Sequence, residues 1–501
     1  MSRRKYVLAI DQGTTGTTVV LFDARGQMVR KMYKEFTQYY PQPGWVEHDA
    51  WEIWLGVHEL LERIIAETAI APEDLAAIGV TNQRETVVLW DRKTGKPVTK
   101  AIVWQCRRTA KMCEEMKEEG LEPLFRERTG LILDPYFSGT KLKWIFDHDS
   151  ELYARAVRGE LAFGTIDSWL IYNLTAEKAH VTDYTNASRT LLFNLKTLDW
   201  DEELLQALNI PRQILPEVRP SSAVYGHTQA SGRIPGGIPV AGAAGDQQAA
   251  LFGQACFERG SVKATFGTGA FILMNTGTEP VFSHNGLLTT VAWGLDGRVE
   301  YALEGSVFVA GAAVQWLRDE MGLIKQAAET EGIALSVPDT NGVYFVPSFV
   351  GLGAPHWDPY VRGMIMGLTR GATKAHVIRA TLEAIVYQTR EVLDVMAEES
   401  QIPLGLLKVD GGASENKFIC QFLADLTNRQ VEWPEIFETT ALGAAYLAGL
   451  AVGIWDSQAH VETSRQIHRT YLPAMAEEKR SALYSQWQKA VQSAKSWVGN
   501  A

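Results

Sequence analysis

The sequence predicts an α/β protein of two domains, each built on a mixed β-sheet with helices packed on it, with a cleft between them. Three observations carry this. At 501 residues the chain exceeds what a single hydrophobic core usually serves. Its apolar runs alternate between strand-length stretches and helical patterns, in an order that lays helices on a mixed sheet. Finally, the second half restarts in the manner of the first, as strand, Gly/Thr turn and strand, an internal repeat at domain scale.

The first element is a hairpin. The apolar runs Tyr6 to Ile10 and Val19 to Phe22 flank Asp11-Gln-Gly-Thr-Thr-Gly-Thr-Thr18, whose backbone N–H groups and threonine hydroxyls can converge on an anion. Thr14, Thr15 and Gly16 sit where such a loop would grip one end of a phosphate chain. Asp11 ends the strand at its mouth, where a Mg²⁺ bridging phosphate oxygens needs a hard oxygen ligand or a water held by one. Taken alone, a Gly/Thr hairpin is more often an ordinary turn. A third strand is expected over 27–36. Asp49-Ala-Trp-Glu52 reads as a capping box opening a helix that runs through about Thr68, with Trp54, Val57, Leu61, Ile64 and Ile65 on its apolar face. Strands follow at 76–80, 86–90 and 101–104, the first running into Thr81-Asn-Gln-Arg84-Glu85.

From about Pro123 to Pro220 the pattern is mostly helical, with helices expected over 153–161, 165–174 and 201–208. Such a block suits a cap on the first domain. Sheet signals return at Val240 and lead into Asp246-Gln-Gln and an Ala-rich helix. Small and charged residues then interrupt the pattern, which places a boundary near 253–260 and gives domains 1–253 and 254–501. The repeat begins with strand 261–265, turn Phe266-Gly-Thr-Gly269 and strand 270–275, so Thr268 would face the first hairpin across the cleft. Strand 406–409 then delivers Asp410-Gly-Gly-Ala-Ser-Glu-Asn416 to an amphipathic helix. The glycines there let a ligand lie against the backbone. Thr440 to Gly449 is a helix with a Gly/Ala face suited to close packing.

With 46% hydrophobic and 21% charged residues, the composition is that of an ordinary soluble globular enzyme. A net charge of −11 without a basic patch argues against a nucleic-acid partner. Cys106, Cys113, Cys256 and Cys420 form no C-x-x-C pair and no zinc spacing, so reduced thiols in a cytoplasmic protein are expected. The basic start, Met1-Ser-Arg-Arg-Lys, is followed by too short an apolar run for a signal peptide, and no stretch approaches a membrane span. The sequons at Asn173 and Asn186 then read as accidental.

Seven segments, taken together, resemble the FGGY carbohydrate kinases. They are Asp11-Gln-Gly-Thr-Thr15, Thr81-Asn-Gln-Arg-Glu85, Ile102-Val-Trp-Gln-Cys-Arg-Arg-Thr109, Gly242-Ala-Ala-Gly-Asp-Gln-Gln248, Phe266-Gly-Thr-Gly269, Pro347-Ser-Phe-Val-Gly-Leu-Gly-Ala-Pro-His-Trp-Asp-Pro359 and Val409-Asp-Gly-Gly-Ala413. They span nearly the whole chain in the family's order. The resemblance implies the actin-like, ribonuclease H-like ATPase fold with its central cleft, and transfer of the γ-phosphoryl group of ATP, with Mg²⁺, to a small polyol such as glycerol. It also implies a homodimer or homotetramer.

Phosphoryl transfer to an alcohol needs donor and acceptor in line, charge neutralisation, and a proton acceptor. Asp246 is the candidate base, a role the resemblance also implies; capping of its own helix is the competing account. Arg84-Glu85 supplies a cation and a carboxylate side by side, as polyol hydroxyls require, although such a pair also decorates solvated turns. The resemblance implies that Arg84, Glu85, Tyr136, Asp246 and Gln247 bind the hydroxyls and that Trp104 and Phe271 pack the carbon edge. It assigns Asp11 with Asp246 to Mg²⁺, and Thr14, Thr15, Gly16, Thr268, Gly311, Gln315, Gly412 and Asn416 to the nucleotide. Two departures stand out. Thr18 occupies a position where many members carry arginine, and the 226–237 loop holds Arg233 as its one arginine or lysine, so inhibition by a bisphosphorylated sugar is not expected. The rivals are a pentulose or sugar-acid kinase of the same family and an actin-like or chaperone-like ATPase switch.

Overall fold

The computed structural model describes residues 5–498; the start of the basic N-terminal segment, residues 1–4, lies outside them. The first half is organised on a six-stranded sheet. Its strands are β1 (Tyr6–Gln12), β2 (Gly16–Asp23), β3 (Met28–Glu35), β4 (Leu75–Asn82), β5 (Ser222–His227) and β6 (Pro239–Gly245), in the order β5-β6-β4-β1-β2-β3. β1, β4 and β6 run parallel, and β1-β2-β3 is an antiparallel meander. Two helices matter most here, α1 (Ala50–Thr68) and α2 (Asp246–Gly253).

The period-2 alternation along β1 explains the layering. Leu8 and Ile10 join Val19 and Leu21 against α1, while Val7 and Ala9 join Val20 and Phe22 on the opposite face. Buried on both faces, the strand reads as one continuous apolar run.

The second half repeats the plan. A seven-stranded sheet contains β7 (Val262–Phe266), β8 (Ala270–Gly277), β9 (Leu288–Leu295), β10 (Arg298–Val307), β11 (Leu407–Asp410), β12 (Val431–Pro434) and β13 (Ile467–Tyr471), in the order β9-β10-β8-β7-β11-β12-β13. Here β7, β11 and β12 are the parallel strands, and β7-β8 is the hairpin equivalent to β1-β2. Its helices include α3 (Gly311–Asp319), α4 (Lys374–Ser400), α5 (Lys417–Thr427) and α6 (Thr439–Ala451).

Although α6 belongs to the second half, it packs on the first sheet. Its small residues allow almost backbone-to-backbone approach. A Cβ on Gly443 would lie 1.8 Å from the Ala249 carbonyl oxygen of α2, and one on Gly79 of β4 would lie 2.2 Å from that of Ala444. The Gly/Ala face is therefore a packing device, and it fixes α2 against the sheet.

Several local expectations are corrected. Strands β1 and β2 extend past the apolar runs, leaving a three-residue turn, Gly13 to Thr15. Asp49 does cap α1, accepting from the Trp51 and Glu52 N–H groups. Glu52 does not close the box, because its carboxylate accepts from Thr37 instead. The helix expected over 153–161 is Ser150–Val157, started by Asp149, and Leu161 begins the strand Leu161–Gly164. That apolar run pairs with Val88–Asp91, so tertiary pairing outweighed the helical spacing.

Candidate functional site

In α/β sheets, ligands bind beyond the carboxyl ends of the parallel strands. Those ends lie side by side here, since Asp11 is in register with Thr81, and Thr81 with Ala244. β1 therefore delivers Asp11, the chain after β4 delivers Arg84 and Glu85, and the chain after β6 delivers Asp246, all to one edge. The β1-β2 turn is closed by the Gly13 N–H donating to the Gly16 carbonyl at 2.9 Å and is braced by the Gln83 amide on the Gly13 carbonyl at 3.1 Å. Thr15 is exposed at its tip. The Tyr33 ring lies over Gly16, 2.5 Å from where a Cβ would stand, so a side chain there would push that exposed ring aside.

Arg84 is the hub. Its Nε lies 3.2 Å from Asp246 Oδ1 and 3.8 Å from Glu85 Oε1, and its Nη2 reaches the Tyr136 hydroxyl at 3.4 Å. Its two Nη groups also donate to both carboxylate oxygens of Glu304, a residue of β10 in the second half. Arg189, fully buried, donates from Nε to Glu85 at 2.7 Å and from Nη2 to Glu304 at 3.0 Å. Glu85 itself holds a left-handed φ of 60°, and Ser138 fixes its carbonyl at 3.0 Å. Trp104 donates its indole N–H to Thr14 Oγ1 at 2.9 Å and meets Tyr136 edge-on, with ring centroids 5.6 Å apart. The structure thus joins Thr14, Arg84, Glu85, Trp104, Tyr136 and Asp246 by direct contacts.

The electrostatics follow from burial. Burial would raise the Glu304 carboxyl, but Arg189 and Arg84 beside it override that and hold it down at about 2. Burial pushes Asp246 up, against the pull of Arg84, the Gln247 N–H at 2.7 Å and Lys263. Burial also drives Asp11 up to about 8, helped by the facing charges of Asp246 and Glu438 and opposed by Lys31. Lys31 is occupied by Glu438.

Gln247 accepts from Lys263 of β7, a fully buried ammonium that also donates to Thr265 at 2.9 Å. Phe271, on β8 opposite Thr265, is partly buried against the apolar cluster around α2. Thr268 stands exposed at the β7-β8 turn. There the Gly311 N–H donates to the Gly267 carbonyl at 3.0 Å, so the start of α3 is pinned to the turn. A Cβ on Gly311 would lie 2.6 Å from that carbonyl. Gln315 is exposed one turn further along α3, and Gly412 lies open on the loop after β11. The Asn416 side chain caps α5, accepting from the Phe418 N–H at 3.0 Å, and donates to Thr330 at 3.0 Å.

Sequence reasoning missed Glu304, Arg189 and Lys263. A signal existed for Lys263, the one charge of β7, and for Glu304, the one charge in the run 301–307 of β10, since a buried charge must find a partner.

Two sheets of matching order, each with a Gly/Thr hairpin at the ends of its parallel strands, define an actin-like ATPase fold of two lobes. The chain belongs to the FGGY family of carbohydrate kinases, whose N-terminal domain matches residues 6–253 and whose C-terminal domain matches residues 262–452. A glycerol kinase of Caldanaerobacter subterraneus subsp. tengcongensis is 60% identical over 495 residues, 99% of each chain, and glycerol kinase 2 of Thermotoga maritima is 58% identical over 98% of this chain and 99% of its own. Among solved structures, the Plasmodium falciparum glycerol kinase with ADP superimposes with a TM-score of 0.93 at 37% identity, covering 98% of each chain. A xylulose kinase from Lactobacillus acidophilus superimposes at 0.89 with 23% identity and 99% coverage of each, which speaks to the fold alone.

Proposed function

We propose that this chain transfers the γ-phosphoryl group of ATP to the terminal hydroxyl of glycerol, giving sn-glycerol 3-phosphate and ADP. The observation that carries the reading is Arg84, clamped so that its guanidinium lies between Asp246 and Glu85 at the edge where the parallel strands end. A small polyol placed there finds carboxylates that accept from its hydroxyls and a cation that donates to them. Tyr136, Gln247, Trp104 and Phe271 complete its surroundings. Full-length relatives named glycerol kinases, at 58–60% identity, favour glycerol over a pentulose or sugar acid.

Asp246 serves as base. It accepts the proton of the terminal hydroxyl while that oxygen bonds to the γ-phosphorus, and the bond to the bridging oxygen breaks to release ADP. Burial raises its proton affinity, as suits a proton acceptor, against the opposing pull of Arg84, the Gln247 N–H and Lys263. Thr14, Thr15 and Gly16 on one lobe and Thr268 on the other hold the phosphate chain. Gly311, Gln315, Gly412 and Asn416 surround the nucleoside end.

Asp11 suits Mg²⁺. It is a carboxylate crowded by other carboxylates, with no ion-pair partner among the described residues, and a divalent cation would relieve that crowding. No cluster of three or more His, Cys, Asp or Glu side chains able to hold a metal occurs among the described residues, so phosphate oxygens and water would complete the coordination around Asp11, with Asp246 nearby. Bound there, Mg²⁺ would neutralise charge on the β- and γ-phosphates.

The lobes, residues 1–253 and 254–501, would close on both substrates and exclude water. No helix among the described residues is long and apolar enough to cross a membrane; a cytoplasmic homodimer or homotetramer is what we expect. The test is product analysis after incubation with ATP, Mg²⁺ and a panel of polyols and sugars. Phosphorylation of glycerol in preference to xylulose and gluconate is expected, and the opposite preference would overturn the acceptor assignment.

A further inference from the structure

Lys263 is a buried cation whose contact with Gln247 the phosphoryl-transfer reading leaves unexplained. It lies on β7, in the second lobe, one strand-length before the Thr268 turn, yet its ammonium reaches the side chain of Gln247 in the first lobe's α2. It makes no ion pair among the described residues. Its donors go to the Gln247 amide oxygen and to Thr265 Oγ1, and the Thr265 hydroxyl in turn donates to Asp410 at the end of β11. The ammonium thus spans the junction of the lobes and is itself held in place.

An ammonium has donors and no acceptor, so it fixes which way an amide can face it. The Gln247 oxygen must point at Lys263, and the amide nitrogen must point away. That nitrogen has no protein partner among the described residues and is not sealed from solvent, although the residue as a whole is only 9% exposed. Its neighbour Asp246 opens to the same edge, with 30% of its side chain exposed. The two residues therefore offer complementary chemistry: Asp246 accepts and Gln247 donates.

We propose that Lys263 is a positioning residue that sets the Gln247 amide so that its N–H₂ group, not its carbonyl, faces the polyol. The inference rests on the proposed polyol site and adds to it the cause of the donor–acceptor order. Without the ammonium the amide is free to turn, and its carbonyl would then face an acceptor hydroxyl about as often as its nitrogen. Because the cation comes from the opposite lobe, the donor is correctly aimed only when the lobes are in register.

The test compares K263M, Q247A, Q247E and the double variant K263M/Q247A by melting temperature, KM for glycerol, KM for ATP and kcat. Methionine fills the lysine's volume without charge, and a merely structural loss would move both KM values together. K263M is expected to raise KM for glycerol by about twofold, the cost of an amide aimed correctly half the time, with KM for ATP unchanged. In the Q247A background the same substitution should raise KM for glycerol no further. Q247E keeps an acceptor for Lys263 but has no amide nitrogen, so it should raise KM for glycerol as much as Q247A does. The inference is overturned if K263M raises KM equally with and without Gln247, or if a folded K263M or Q247E binds glycerol as the wild type does. Should K263M fail to fold, Q247E decides. Absence of glycerol turnover by the wild-type chain would overturn the functional reading and this inference with it, whereas wild-type turnover with an unaffected Q247E overturns this inference alone.

Discussion

Replacing Glu304 by glutamine tests whether the carboxylate contributed by the second lobe holds Arg84, the arginine proposed to bind the polyol. Glu304 is fully buried and receives donors from both Arg84 and Arg189. Two routes give its worth. The carboxyl lies at about 2 against an ordinary 4.5, and at 1.36 kcal/mol per unit this corresponds to about 3 kcal/mol. Independently, removing one partner of a buried pair costs about 3 to 5 kcal/mol. Asp246 and Glu85 remain beside the arginines and offset part of the loss, which favours the lower end. Because the carboxyl's affinity for protons is depressed on folding, its contribution is complete above the ordinary carboxyl range and disappears as pH falls from about 4.5 through about 2. Calorimetry of E304Q at pH 7 should show a melting temperature lower by roughly 3 to 6 °C. The difference from wild type should then close on acidification, since a protonated glutamate and a glutamine are nearly equivalent there. In parallel, KM for glycerol should rise, because Arg84 is no longer anchored. A difference at pH 7 below about 0.5 kcal/mol, within the range of an ordinary surface substitution, would refute the reasoning, as would a gap unchanged down to about pH 2.5.

The remaining predictions are briefer. D246N should lower kcat by about a thousandfold through loss of the proton acceptor, while KM for ATP stays near its wild-type value in steady-state assays. D11N should leave nucleotide binding measurable but raise the Mg²⁺ concentration for half-maximal activity by about tenfold or more, read from a metal titration of the rate. G311A places a methyl group against the Gly267 carbonyl, so α3 and the Thr268 turn must separate; KM for ATP should rise severalfold and stability should fall by about 1 to 3 kcal/mol. G443A meets the Ala249 carbonyl at a still shorter distance. A drop in melting temperature and in kcat is expected there, because α2 carries Asp246.

Where physics acts locally, the sequence was readable. The hairpin, the helix opened by Asp49 and the strand that ends in Asp246 each carry their cause in neighbouring residues: a Gly/Thr turn, a capping carboxylate, an apolar run. The repeat also predicted the second hairpin, because equivalent strands need equivalent patterns. The relation between distant strands was not readable. Nothing near Arg84 indicates that its guanidinium is met by Glu304, more than two hundred positions away, or that Lys263 reaches Gln247, since such partners are set by how the sheets are brought together. Arg189 hides for another reason: it lies in a block of short helices whose packing gives no periodic signal. At Leu161 the local pattern misled, because a strand partner captured residues whose spacing suited a helix.

The seating of α6 has a consequence for how the chain can be divided and how it can move. A fragment ending at residue 253 would be left with Val7, Ala9, Val20 and Phe22 bare to water, so it should precipitate when made by itself and be rescued by co-expression of the remainder. The lobes are clasped like two hands with one thumb tucked under the other palm. The closure proposed above would then have to turn about that thumb, since withdrawing it would bare the same four side chains.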